Sequence, residues 1–304
     1  MSAALATAAL PRRAPRIGTL PLVLLLPVVV CIAVFYAGPI LFAVWSSLQR
    51  DGTATGAIDF VGASHYLSLF GDRRFHNSAL ITLVFTVGTV AATYLLALLL
   101  ALLMNRGFPG RRVVGGLLII PWTMPLVVVA VVWGWLLDYQ FGVINYLLER
   151  WGIIDKPIGW LTDPDMALWS VGAANVWRLF PLAMVTLLAA LKSIPQELYE
   201  AAEVDGANRW QSFLYVTLPG IRSTTVALVL LLAIWAFGRI FTIVFVMAGG
   251  GPAGATETLV IQTYLEAFRY FRLERASALG VITLVVSASL TLVYLKVSRA
   301  PGER

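Results

Sequence analysis

Two arginines place charge inside stretches otherwise apolar enough to cross a membrane: Arg178, within Met166 to Leu191, and Arg239, within Thr224 to Met247. A cation at the bilayer centre costs about 2.5–3.5 kcal/mol on insertion scales, so each must face protein, water or the interface. Two readings are open. In one, the side chain lies toward the outer end of its helix and only reaches the interface. In the other, a guanidinium donates to oxygen atoms of a passing polar solute, with Trp177 or Trp235 offering an aromatic face to its apolar side. Other reactive residues are scarce. His65 and His76 share one polar segment without zinc-ligand spacing, no serine–histidine–acid set stands out, and the single Cys31 excludes an intrachain disulfide. The phosphate-cradling pattern G-x-x-x-x-G-K-[ST] is absent, so the chain is not read as an ATPase or any other enzyme, and no cofactor or metal is expected on it.

A second concentration of polar residues is the island Ile194 to Arg222, which contains Glu200-Ala201-Ala202, then Asp205-Gly206-Ala207, and later Val216-Thr217-Leu218-Pro219. Pro195 suits the first turn of a helix, and Ser193 with Gln196 has capping-box spacing. Leu198, Ala201, Ala202 and Asp205 fall on one face of that helix, and Gly206 ends it in a left-handed conformation. Asn208 with Gln211 caps a second helix that carries Trp210, Phe213 and Leu214. A helix pair with apolar surface between membrane stretches invites a partner protein.

The spacing from Glu200 to Pro219 resembles the signature of binding-protein-dependent importer permeases, with Val216 in place of the usual isoleucine. Further segments resemble carbohydrate permeases of the maltose and glycerol-phosphate type. These are Phe60-Val61-Gly62 to Asp72, Pro121-Trp122 to Asn145, and Gly249-Gly250-Gly251-Pro252 followed by Ala255 to Phe268. The resemblance implies an all-α type I importer permease fold and a non-enzymatic role. The chain would translocate a sugar or related polar solute, with a glycerol phosphate or glycerophosphodiester as the alternative cargo; a secondary transporter is a further alternative, against which stands the absence of ion-coupling carboxylates inside the apolar spans. Residues Glu200, Ala201, Ala202, Asp205, Gly206, Ala207, Phe213, Leu218 and Pro219 would then couple to a separate ATPase that holds ATP and magnesium. The implied partners are a second similar permease, two ATP-binding subunits, an extracytoplasmic solute-binding protein and membrane lipid. Substrate-path candidates are Arg178, Trp177, Trp235, Arg239, Phe241, Gly250 and Gly251. The family's aspartate after Phe241 is Thr242 here, so a sugar-binding role for that acid does not carry over.

Composition agrees with a membrane protein, since 59% of the residues are hydrophobic, 12% are charged and the mean hydropathy is +0.84. The net charge of +6 is spread between apolar runs, which speaks for topology and against nucleic-acid binding. Six stretches have spanning length: Leu20 to Trp45, Ser78 to Met104, Val113 to Leu137, Met166 to Leu191, Thr224 to Met247 and Ala276 to Leu295. They divide the chain into a tail (1–19), a six-helix permease domain (20–297) containing the 194–222 loop, and a second tail (298–304). Pro121 and Pro125 should kink the third span and turn it toward the bundle interior. With both termini on the cytoplasmic face of a bacterial inner membrane, twelve basic residues fall inside and eight outside, which satisfies the positive-inside rule. The acid-rich outer segment Asp138 to Asp165 could meet an external protein. In a Cys31→Ser background, an impermeant thiol reagent is therefore expected to label Trp160→Cys from outside and to miss Asn208→Cys. The reverse pattern would overturn the orientation.

Overall fold

The computed structural model describes residues 19–51 and 58–298. Arg12, Arg13, Arg16, Arg299 and Arg304, which contribute to the charge count, lie outside the described residues, as does most of each tail. The first apolar stretch is one helical rod, in which α1 (Thr19–Ile32) passes through a π-turn (Ala33–Ala37) into α2 (Gly38–Ser47). The wide turn has a local cause. Pro39 has no N–H and its ring crowds the preceding turn, and the chain relieves this by bonding Gly38 N–H five residues back to Ala33. A short antiparallel hairpin follows, β1 (Gln49–Asp51) against β2 (Ile58–Phe60), and then α3 (Ser64–Phe70).

The core is built on α4 (Arg73–Asn105) and α8 (Pro164–Lys192). Asp72 caps α4 by accepting from Arg74 N–H at 2.9 Å, and Asp163 does the same for α8 through Asp165 N–H at 2.9 Å. The two helices bury Phe85, Ala97 and Ala101 against Val171, Ala174, Met184 and Leu187. Small residues set the spacing. A Cβ on Gly88 would lie 3.2 Å from the Trp169 ring, and one on Gly172 would lie 3.3 Å from Thr89 Cγ2. The buried hydroxyls of Thr82 and Thr89 donate to their own helix, at 2.7 Å to the carbonyls of Ser78 and Phe85, and so remain satisfied in an apolar setting.

The third stretch is bent at its second proline, as expected, and so sharply that it divides. It is two helices, α5 (Arg111–Thr123) and α6 (Leu126–Leu136), which meet at 99°. The break falls at Met124, held extended because a residue before proline is barred from helical geometry, and Pro125 then starts α6. Neither half is enclosed by the bundle, since only Pro121 of α5 and Val129 and Ala130 of α6 are buried. A segment with α7 (Val143–Arg150) follows. It is held by buried Asn145, which accepts from Ile158 N–H at 3.1 Å and Trp160 Nε1 at 2.8 Å and donates to Ile158 O at 3.0 Å.

After α8 come α9 (Gln196–Val204), α10 (Arg209–Ser212), a π-turn (Phe213–Thr217), α11 (Leu218–Gly220) and α12 (Arg222–Gly238), with a 66° bend before α12. The fifth stretch, expected as one helix to Met247, stops at Gly238 and resumes as α13 (Phe241–Met247), which packs on α6. The chain closes with α14 (Leu259–Tyr264), a π-turn (Leu265–Arg269) and α15 (Leu273–Ser298). Among the described residues, four helices are long and apolar enough to cross a membrane, and counting each bent pair as one span gives six.

An ion-pair knot joins one end of this bundle. Arg74 of α4 meets Glu257 at 2.7 Å and Glu266 at 3.2 Å, while Glu266 also faces Arg272 at 3.8 Å and Arg275 at 3.7 Å, and Arg275 pairs with Asp72. The Glu266 side chain is 1% exposed, so its loss leaves three cations without their shared partner. The arginines are partly hydrated, and Glu266→Ala is expected to cost about 1–3 kcal/mol. Thermal unfolding in detergent should show a drop of several degrees for Glu266→Ala and almost none for the exposed Glu149→Ala.

Candidate functional site

Three elements bring Arg178 and Arg239 to one cavity of about 270 Å³. Asn175, Arg178 and Leu179 line it from α8, where spacings of three and four put them on one face. Trp122 and Leu126 come from the two sides of the α5–α6 break, and Trp235, Arg239 and Ile240 from the end of α12 and the break behind it. Arg239 sits there because the helix ends. Its N–H still bonds Trp235 O at 2.9 Å, but its own backbone (φ −114°, ψ 11°) has left the helix.

Aromatic faces hold both cations. The Arg178 guanidinium lies 5.2 Å from the Trp122 ring centre and that of Arg239 lies 5.5 Å from Trp235, while the two indoles are parallel within 6° at 5.7 Å. Such contacts contribute about 0.5–2 kcal/mol each, less than the roughly 2.5–3.5 kcal/mol of placing each arginine at mid-membrane. Arg178 is at the middle of α8, fourteen residues, about 21 Å of helix, from either end. No carboxylate lines the cavity, and none pairs with either arginine among the described residues. Buried Asn175 Nδ2 and Arg178 Nε have no hydrogen-bond partner.

The remaining path candidates stand elsewhere. Trp177 points to the other side of α8, edge-on to Trp133 at 5.8 Å. Phe241 joins an aromatic row with Phe245 at 5.0 Å and Tyr264 at 5.1 Å. Gly250 (φ +93°) and Gly251 shape the loop after α13. A Cβ on Gly250 would come within 2.9 Å of Ile261, so this glycine serves packing against α14. Trp122 and Asn175 were not among the sequence candidates. Asn175 lies three residues before Arg178, a spacing that marks the shared face, whereas Trp122 is brought in by a helix break that spacing does not reveal.

The polar island folds as a helix pair. Its first helix differs at the start from expectation: the Ser193–Gln196 box does not form, Pro195 occupies the cap position, and Ser193 Oγ bonds back to Ala190 O at 2.8 Å to finish α8. A proline at the cap fixes the chain's turn without a side-chain acceptor. The end agrees with expectation. Gly206 is left-handed (φ +78°), with Ala207 N–H to Ala202 O at 2.9 Å and Gly206 N–H to Glu203 O at 3.0 Å closing the last carbonyls. The Asn208–Gln211 capping box forms with bonds of 2.9 and 2.8 Å.

Glu200, Ala201, Asp205 and Gly206 are exposed, and Ala202 and Ala207 are half-buried. Around them Leu198, Val204, Trp210 and Tyr215 are exposed apolar side chains, Val204 at 88%. Phe213 and Leu218 instead pack toward the core, and Tyr199 OH meets Thr217 Oγ1 at 3.1 Å, which ties the first helix to the turn before Pro219. That turn is again a π-turn two residues ahead of a proline.

Residues 93–300 match the family described as the binding-protein-dependent transport system inner membrane component. The chain is 36% identical over 279 residues to the trehalose/maltose transport system permease protein MalF of Thermococcus litoralis, covering 91% of this chain and 92% of that one. It is 31% identical to the sn-glycerol-3-phosphate transport system permease protein UgpA of Agrobacterium fabrum, covering 90% and 92%. A solved structure of a bacterial alginate ABC transporter, in complex with an alginate pentasaccharide-bound periplasmic protein, superposes with a TM-score of 0.78 at 25% identity, covering 92% of this chain and 94% of that one. With its broken spans, buried α4–α8 core and exposed helix pair, the chain belongs to the binding-protein-dependent transport system inner membrane component family, as a multi-pass permease of an ABC importer.

Proposed function

We propose that this permease moves a sugar or related polar solute, delivered by an extracytoplasmic binding protein, past the Arg178–Arg239 cavity. The exposed pair α9–α10 docks on a separate ATP-binding subunit and transmits its motion. The assembly has a second similar permease and two ATP-binding subunits that hold ATP and magnesium, and both termini of this chain face the cytoplasm. The observation that carries the coupling role is the uncovered apolar surface of Leu198, Val204, Trp210 and Tyr215, set on a frame fixed by Gly206 and the Asn208–Gln211 box. The named cargoes of the relatives, trehalose/maltose and sn-glycerol-3-phosphate, support a small hydroxylated solute.

Two measurements test this reading. Gly206→Pro imposes φ near −65° where the chain needs +78°, and Glu200→Lys reverses a charge on the exposed pair. Each is expected to abolish uptake and ATPase coupling while membrane insertion stays intact, and normal uptake in either would sink the docking role. Arg239→Leu removes the donor but keeps a side chain the bilayer accepts. The variant should assemble with its ATPase yet couple hydrolysis to transport poorly, and near-normal transport would remove Arg239 from the path.

A further inference from the structure

Among the described residues, the cavity holds two cations and no carboxylate to neutralise them. Arg178 and Arg239 border the same space, each is positioned by an indole, and no carboxylate of the described residues reaches either one. Like charges facing a low-dielectric cavity repel, and a guanidinium pair held this way is an arrangement that an anion relieves. On the same cavity wall, the buried Asn175 amide has an unpartnered Nδ2 and Arg178 an unpartnered Nε. Donors left without acceptors in a buried site are costly until a ligand supplies oxygen atoms.

We infer that the cavity takes the oxyanion of an acidic cargo: a phosphate, sulfonate or carboxylate attached to a small polyol or single sugar unit, received by Arg178, Arg239 and Asn175. This inference rests on the cavity lying in the translocation path, and it narrows the cargo from polar to anionic. Planar guanidinium forks match such groups with paired charge-assisted bonds, which a neutral hydroxyl cannot return with equal strength. The cavity of about 270 Å³ lies just below the roughly 300–1,000 Å³ of sites that enclose drug-sized ligands, so it suits one charged group with its adjoining carbons. The parallel indoles support the cations. Trp235 therefore acts first on Arg239, where the sequence alone placed it against the apolar side of a solute.

The test uses the assembled transporter, this chain with its partner permease and ATPase subunits, in nanodiscs of neutral phosphatidylcholine. Binding is measured by titration calorimetry for two matched probe pairs, glycerol 3-phosphate against glycerol and glucuronate against glucose, with inorganic phosphate as a further arm. At least one acidic probe should bind about tenfold or more tightly than its neutral twin, about 1.4 kcal/mol. That preference should disappear in Arg178→Gln and Arg239→Gln and survive in part in Arg178→Lys, which keeps the charge. Equal binding within both pairs, as a carboxylate from the partner permease would produce, overturns the inference. So does a preference that persists in the double glutamine variant, or binding by inorganic phosphate alone. If phosphatidylglycerol nanodiscs abolish the preference, a lipid headgroup is the occupant and the cargo assignment fails. Uptake driven by the binding protein separates this result from the parent reading. Variants that lose uptake while the probe pairs bind equally leave the path standing and remove only the anion. Variants that lose the preference but keep uptake show that the site lies off the path.

Discussion

The close approach of α4 and α8 is the constraint on which the rest of the chain depends. Gly88 and Gly172 remove the side chains that would hold the helices apart, and the buried Thr82 and Thr89 hydroxyls are satisfied within their own turns. In a lipid setting, where apolar surface alone does not drive helices together, such shape fit and internal satisfaction are the available sources of association. With one side of α8 committed to α4, the face carrying Asn175, Arg178 and Leu179 is turned toward α5 and α12. The cavity is thus a by-product of where the glycines lie.

Around that rigid pair, irregular backbone gathers where prolines and helix ends force it. Pro125 opens the 99° corner that presents Trp122, the end of α12 at Gly238 presents Arg239, and the π-turn ahead of Pro219 reorients the chain between the exposed helix pair and α12. Each break frees backbone groups that a straight helix would satisfy, and each lies at a place where side chains are brought to a cavity or an exposed surface.

Local chemistry was legible in the sequence wherever a short-range rule decides the outcome. Gly206, the Asn208–Gln211 box and the apolar lengths of the spans all behave as their residue types dictate. Capping at Ser193 was misread because two candidates competed for the same helix start, and Pro195 took it. Pro121 and Pro125 announced a kink in the third span but not its 99° angle, and the fifth span read as continuous because apolar length does not report a stop at Gly238. Of the path residues, Arg178, Trp235 and Arg239 were recognisable by charge and by type. Their convergence with Trp122 was not, since it depends on a tertiary angle. Trp177 was drawn in by its neighbour in sequence, although adjacent residues on a helix point apart.

The ion-pair knot around Glu266 has a consequence for the order in which the chain is made. Arg74 precedes its partners by 183 and 192 residues, so during synthesis its charge stands beside a completed second helix long before Glu257 and Glu266 exist. Arg272 and Arg275 arrive only after Glu266, at the start of the last helix. The knot therefore closes only once Arg275 has been made, and until Glu257 and Glu266 exist Arg74 carries a charge that neither of these partners answers.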